Sequence, residues 1–231
     1  MAVGTTEGPT IAIDVDEVLG KYVQSFCLHY NKQHKTNWTE DQFISYRFSD
    51  TLGCNPMHAG QMCLEFHDSE EFKAIQPVPG AFEGLCLLKR LGYNLEIVTS
   101  RAESMRDVTK VFIDEHFPGI FPAEKQHFTN SFGETGPRYT KYEVCTSERY
   151  ENPLDKKNKP LNAVVLIDDN PVYTSNVASK GMFGILFGEY GWNREAYDGL
   201  QECDKKFVVR CANWAEVVAF IEKQWPINNN A

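Results

Sequence analysis

A doubly wound parallel α/β sheet with a helical insert after its first strand is what the sequence predicts, and three observations carry the prediction. Short apolar, β-branched runs alternate with longer amphipathic stretches along the 231 residues, the pattern of strands joined through helices. Two of these runs, Ile11-Ala12-Ile13 and Val164-Val165-Leu166-Ile167, are apolar without a break, as central strands covered on both faces should be. The stretch from 20 to 76 shows helical but no strand periodicity, so it interrupts the alternation. The expected division is therefore a Rossmann-like core of residues 1–19 and 77–231, with 20–76 inserted as a small helical cap.

The strands expected in order are Thr10–Ile13, Leu95–Val98, His127–Thr129, Ala163–Ile167, Gly184–Phe187 and Phe207–Val209, the first and fourth being neighbours in the middle. Within the insert Tyr22, Phe26 and Tyr30 recur at helical spacing, followed by Trp38, Phe43, Tyr46 and Phe48; this stripe reads as the insert's own core, with one or two of its rings able to meet a ligand as well. Pro77-Val78-Pro79-Gly80 is a rigid entry to the helix Phe82–Leu91, which Gly92 ends. Ser100 and Glu103 form a capping-box pattern ahead of Met105, Val108 and Phe112, a run stopped by Pro118-Gly119. Thr140 and Glu143 form a second one, which puts Lys141 at the first position of a helix. The polar stretch Ser147–Pro160 reads as an exposed loop.

Composition narrows the function. The longest apolar run, Ala163–Ile167, is far short of the ~20 residues a membrane span needs. Met1–Pro9 lacks the basic and apolar segments of a secretory leader, and seven irregularly spaced cysteines argue for reduced thiols, so the expected address is the cytoplasm. With 23 basic against 32 acidic residues the net charge is −9, which disfavours nucleic-acid polymers and membrane surfaces as partners. An anionic small molecule would need a local site with its own metal or basic residues.

Such a site is written at the strand ends. Asp14 and Asp16 follow the first buried strand, Thr99-Ser100-Arg101 the second, and Asp168-Asp169 the fourth. In an open parallel sheet the ligand crevice lies at the carboxyl ends of the strands, so these ends share one mouth. Four aspartates in a low-dielectric crevice repel one another unless something positive sits among them. Mg²⁺, with its preference for oxygen ligands, satisfies the cluster and leaves room for a phosphate oxygen, and Lys141 can add a second positive charge. Isolated aspartates at strand ends are commonly plain turn formers; two pairs after two buried strands are not.

The ordered set Asp14-x-Asp16, Thr99, Lys141 and Asp168-Asp169 resembles the four motifs of the haloacid dehalogenase (HAD) superfamily of phosphohydrolases. Ile97-Val98-Thr99-Ser100-Arg101, Leu166-Ile167-Asp168-Asp169-Asn170-Pro171 and Gly191-Trp192-Asn193 are further similar to the branch containing the cytosolic 5′(3′)-deoxyribonucleotidases. The resemblance implies that Asp14 attacks phosphorus, giving an aspartyl-phosphate, and that Asp16 protonates the leaving alcohol and then activates water. It implies phosphate binding by Thr99 and Lys141, with Ser100 beside them. It implies Mg²⁺ held by Asp14, the Asp16 backbone carbonyl and Asp168, with Asp169 orienting a metal-bound water. Glu17 stands where many members have Gly, and the 147–160 stretch looks like an insertion after the third motif.

The leading expectation is thus a Mg²⁺-dependent phosphatase of a small phosphate monoester, a 5′-(deoxy)nucleotide first, with Tyr22, Phe26 and Arg101 as candidate substrate contacts. The alternatives are a sugar-phosphate or phosphoglycolate-like phosphatase, a protein phosphatase suggested by Asp-Val-Asp-Glu, and a non-catalytic phosphate-binding regulator. Cys54, His58, Cys63 and His67 spell two Cys-x-x-x-His pairs. On one continuous helix Cys54 and Cys63 would face opposite ways, so a structural role is expected and zinc is the minor reading.

Overall fold

The computed structural model describes residues 8–133, 135–147, 150–155, 160–201 and 204–227. Cys203, the charged positions 156–159 of the expected loop, the Asn228–Asn230 tail and all but the last two residues of Met1–Pro9 lie outside them.

Six parallel strands form one sheet: β1 (Thr10–Ile13), β2 (Asn94–Thr99), β3 (Gln126–Phe128), β4 (Ala163–Asp168), β5 (Phe183–Phe187) and β6 (Val208–Cys211), in the order β3-β2-β1-β4-β5-β6. The chain winds outward from β1 in one direction and then returns to build from β4 in the other. The switch between the halves falls between β1 and β4, where a crevice opens beyond the strand ends.

The two central strands are buried on both faces, which is why they carry no polar alternation. Ile11 and Ile13 pack on the side of α5 (Ala81–Leu91) and α9 (Trp214–Gln224), against residues such as Leu85, Leu88 and Trp214. Ala12, Val98 and Leu166 face the opposite way, toward Val144 of α7 (Lys141–Thr146) and Val177 of α8 (Pro171–Ala178). Each such large aliphatic side chain stabilises the fold by about 1.5–3 kcal/mol on burial. α6 (Arg106–His116) joins the first side through Phe112 and Ile113.

Between β1 and α5 the chain forms α1 (Tyr22–His34), α2 (Phe48–Leu52), α3 (Pro56–His67) and α4 (Glu70–Lys73). Its aromatic rings meet edge to face, Phe26 with Phe48 at 4.7 Å and Tyr22 with Phe66 at 5.1 Å between centroids. This cluster is not separate from the rest: Phe26, Phe43, Phe66 and Phe72 belong to the same buried core as Ile11 and Ile13. The outgoing and returning chains touch at Gly20 and Pro77, with the Val78 N–H donating to the Leu19 carbonyl at 2.8 Å. A Cβ on Gly20 would lie 2.9 Å from both Ile75 and Phe112, so the crossing requires glycine.

Two local expectations are corrected. The Ser100–Glu103 capping box does not form. A 3₁₀ turn, Glu103–Met105, precedes α6, the Glu103 N–H donates to Asn130 Oδ1 at 3.0 Å, and the Glu103 carboxylate pairs with Arg106. Asn130 Oδ1 takes the Glu103 N–H that a Ser100 cap would have accepted, and the α-helix begins only at Arg106. The stretch after α7 is not simply exposed: Tyr150 and Asn152 are buried, and Asn152 Nδ2–H donates to the Glu124 carbonyl at 2.9 Å beside β3. By contrast the Thr140–Glu143 capping box is present and sets Lys141 at the first position of α7.

Candidate active site

β1 ends at Ile13, and the Asp14 N–H donates to the Ile167 carbonyl of β4 at 3.0 Å, which fixes the first aspartate at the switch point. Across the gap Asp168 is the last residue of β4 and is fully buried, one of its oxygens accepting the Asn170 N–H at 2.9 Å. Lys141 spans the two. Its Nζ lies 2.8 Å from Asp14 Oδ2 and 2.6 Å from Asp168 Oδ2, and it sits over the Tyr173 ring at 4.7 Å. Burial alone would discharge this lysine, but the two carboxylates more than offset that and hold its pKa above the ordinary value.

One cation does not neutralise the site. Burial pushes the Asp14 carboxyl up to about 7; Lys141 pulls it down, while Asp168 and Asp16 raise it further. Burial likewise raises Asp168, against the pull of Lys141, and raises Asp169 well above the usual carboxylate range, aided by Asp168 and Asp14. One oxygen each of Asp14, Asp168 and Asp169 lies within 4.8 Å of the others, and the buried Asp14 Oδ1 has no hydrogen-bond partner among the described residues. Three hard oxygen donors and an unpartnered buried oxygen fit a divalent cation of the Mg²⁺ type. Asp169, expected to orient a metal-bound water, brings a side-chain oxygen into this cluster.

Asp16 faces elsewhere. Its two oxygens accept from Arg101 Nη2 at 2.7 Å and Nε at 3.1 Å, a bidentate fork. Arg101 is only 4% exposed, donates also to Thr109 Oγ1 at 2.9 Å and lies over the Phe72 ring. Arg101, named among the candidate substrate contacts, is a buried tie between the β1 loop, α6 and the helical segment.

Thr99 is fully buried, and its hydroxyl accepts the Arg101 N–H at 3.2 Å. Ser100, freed of the capping task, has a buried Oγ without a hydrogen-bond partner among the described residues. Glu17 takes a left-handed backbone with φ 61°, which explains why glycine suits this position. Its Oε1 accepts the Val23 N–H at 2.5 Å, capping α1, whose Lys21 offers no side-chain cap.

The expected substrate contacts fare differently. Phe26 is 1% exposed and packed among Tyr30, Phe43, Phe48 and Phe66, leaving its ring no face for a ligand. Tyr22 is partly buried, and its hydroxyl lies 2.9 Å from His67 Nε2. Cys54, His58, Cys63 and His67 form no metal-ligating group among the described residues, since Cys54 precedes α3 while the others lie along it. Two residues had no site role assigned from sequence. Trp192 Nε1–H donates to Asp169 Oδ2 at 2.7 Å, and Asn193 Nδ2–H to the Asp169 carbonyl at 2.9 Å. Tyr46, read from the sequence as part of the insert's core, is 44% exposed and is not a core ring. The sequence signal for Trp192 and Asn193 was their place after β5, at another carboxyl strand end.

Comparison with known proteins agrees with this geometry. The family model described as 5′ nucleotidase, deoxy (Pyrimidine), cytosolic type C protein matches residues 8–131, more than half of the chain. No curated protein sequence matches. Among solved structures, a HAD family hydrolase from Deinococcus radiodurans with bound phosphate and sodium aligns at TM-score 0.60 and 14% identity, over 94% of this chain and 96% of that one. A haloacid dehalogenase-like hydrolase from Streptococcus pneumoniae aligns at 0.61 and 14%, over 94% and 99%. A HAD hydrolase from Bacillus subtilis bound to magnesium aligns at 0.53 and 15%, over 94% and 99%. At these identities the likeness shows the shared fold.

Proposed function

The chain belongs to the deoxy (pyrimidine), cytosolic type C family of 5′ nucleotidases, hydrolases of phosphoric monoesters within the HAD superfamily, and from that premise we propose that it is a Mg²⁺-dependent phosphatase acting on a small monoester, a 5′-deoxynucleotide first, through an aspartyl-phosphate. The observation that carries the reading is Lys141 bridging Asp14 and Asp168 while Asp14 Oδ1 stays unpartnered. Lys141 and α7 sit beyond the matched residues 8–131, so this support is independent of the family match.

In the proposed cycle Asp14 Oδ1 attacks phosphorus and the P–O bond to the leaving group breaks. To give a proton to the departing oxygen, Asp16 must first free one of its oxygens from the Arg101 fork and take up that proton. It then takes one from the water that attacks the aspartyl-phosphate, and phosphate leaves with Asp14 restored. Lys141 offsets charge on Asp14 and, with Ser100 and Thr99, holds phosphate oxygens. Mg²⁺ would be held by Asp14, Asp168 and the Asp16 carbonyl, with Asp169 adjacent; when bound it supplies charge compensation to the phosphate oxygens. Residues 20–76 act as a cap, which Arg101 over Phe72 ties to the site. No helix among the described residues is long and apolar enough to cross a membrane; the cytosol is proposed on the family's description and the cysteine usage.

The test is phosphate release from 5′-deoxynucleotides, sugar phosphates and p-nitrophenyl phosphate, with Mg²⁺ and with chelator. Turnover of the nucleotides only with Mg²⁺ is expected. Turnover unaffected by chelator would defeat the metal assignment, and preference for a sugar phosphate would replace the substrate class.

A further inference from the structure

We infer that Trp192 is a positioning residue for the candidate Mg²⁺ site, acting through Asp169; the inference rests on reading the acidic cluster as that site. An indole N–H can only donate, so its 2.7 Å bond to Asp169 Oδ2 fixes the orientation of a carboxylate that has an oxygen within 4.8 Å of those of Asp14 and Asp168. The same loop holds the backbone of Asp169 through Asn193, whose Nδ2–H bonds both the Asp169 and Phe187 carbonyls at 2.9 Å. Side chain and main chain of one acid are thus gripped by two consecutive residues.

The grip has a rigid base. Arg210 of β6 donates to the Gly188 carbonyl at 2.7 Å and to the Asn193 carbonyl. Tyr190 stacks on Trp192, centroids 4.7 Å apart and planes 6° from parallel, and its hydroxyl donates to the Glu17 carbonyl at 2.6 Å. The loop therefore touches the segments carrying both aspartate pairs. On its outer side Gly191 meets the helical segment so closely that a Cβ would lie 2.4 Å from the Phe43 carbonyl oxygen. Phe43 is fully buried, so it cannot give way alone. Trp192 is consequently held from behind, from the side and from above, as an outer-shell partner must be to orient a ligand.

The experiment compares wild type with Trp192→Phe, which keeps a stacking ring and removes the donor. Mg²⁺ binding by calorimetry should weaken about 10–100-fold. Turnover at saturating Mg²⁺ should return toward wild type, as befits a residue that acts through another. Tryptophan emission of the wild-type protein should change on titration with Mg²⁺, and this change should vanish in Trp192→Phe. Because the emission titration uses the intact protein, the inference can be tested even if the variant folds poorly. Equal Mg²⁺ affinity in the two proteins, or wild-type emission indifferent to bound Mg²⁺, would overturn it. Wild type that binds no Mg²⁺ by calorimetry would instead remove the reading of the site, and the inference with it.

Discussion

The loops after β1 and β4 start from the same material, two aspartates following a fully buried apolar strand, and each splits its pair in the same way. The inner members, Asp14 and Asp168, converge on Lys141. The outer members are taken up by separate anchors, Asp16 by Arg101 and Asp169 by Trp192. The anchors differ in charge. A guanidinium fork compensates Asp16, whereas a neutral indole leaves Asp169 uncompensated, well above its ordinary pKa and within the acidic cluster. The residues just beyond the acids differ as well. Asn170 caps the adjoining α8 directly, accepting the Val172 N–H at 2.9 Å from an extended backbone, while Glu17 reaches α1 only from a left-handed one. On the proposed reading the β4 loop would supply most of the cation's ligands, while the β1 loop is joined through Arg101 to the helical segment.

Removing the shared anchor should break the comparison most severely. Lys141→Met leaves two buried carboxylates facing each other without their cation, at a cost of about 3–5 kcal/mol. Thermal unfolding in chelator should show it, and Mg²⁺ should recover more stability in the variant than in wild type. Next comes the outer anchor of β1. Arg101→Lys keeps the charge but loses the fork and the contact over Phe72, and turnover should fall about 10–100-fold through misplacement of Asp16. Unchanged steady-state kinetics would show the fork to be incidental.

A titration separates the helical segment from both loops. Burial lowers the pKa of His67 from 6.5 to about 4, so below pH 6.5 the unfolded chain takes up a proton that the folded one refuses. This contribution to stability is complete above pH 6.5 and is lost as pH falls toward 4. Denaturant midpoints of His67→Gln should lack that part of the decline. The smallest effect concerns Glu17. Both Glu17→Gly and Glu17→Ala lose the cap on α1, but only alanine keeps the left-handed penalty, so it should unfold with about 1 kcal/mol less stability than the glycine variant.

Much of this was legible in the sequence because it obeys local rules. Unbroken apolar runs marked β1 and β4, Thr140 and Glu143 marked the start of α7, and the aspartates after the strands marked the mouth. The features that escaped depend on partners distant in the chain. Arg101 is drawn to Asp16 across 85 positions, a choice no helical pattern encodes, and the Glu103 N–H goes to Asn130, not to a Ser100 cap. Asn152 reads as loop until β3 offers its carbonyl neighbours. Trp192 entered only as part of a resembling Gly-Trp-Asn run, and its partner Asp169 lies 23 positions away. Phe26 shows the reverse: aromatic spacing suits both core and ligand platform, and only packing decides for the core.

The central claim is that Asp14 is the phosphoryl acceptor, and a rapid acid quench during turnover of a 5′-deoxynucleotide with Mg²⁺ tests it directly. Mass analysis of the digested protein should find one phosphoryl group on Asp14 in wild type, and Asp14→Asn should show neither the modification nor turnover. A phosphoryl group on another residue, or wild-type turnover in Asp14→Asn, would contradict the account.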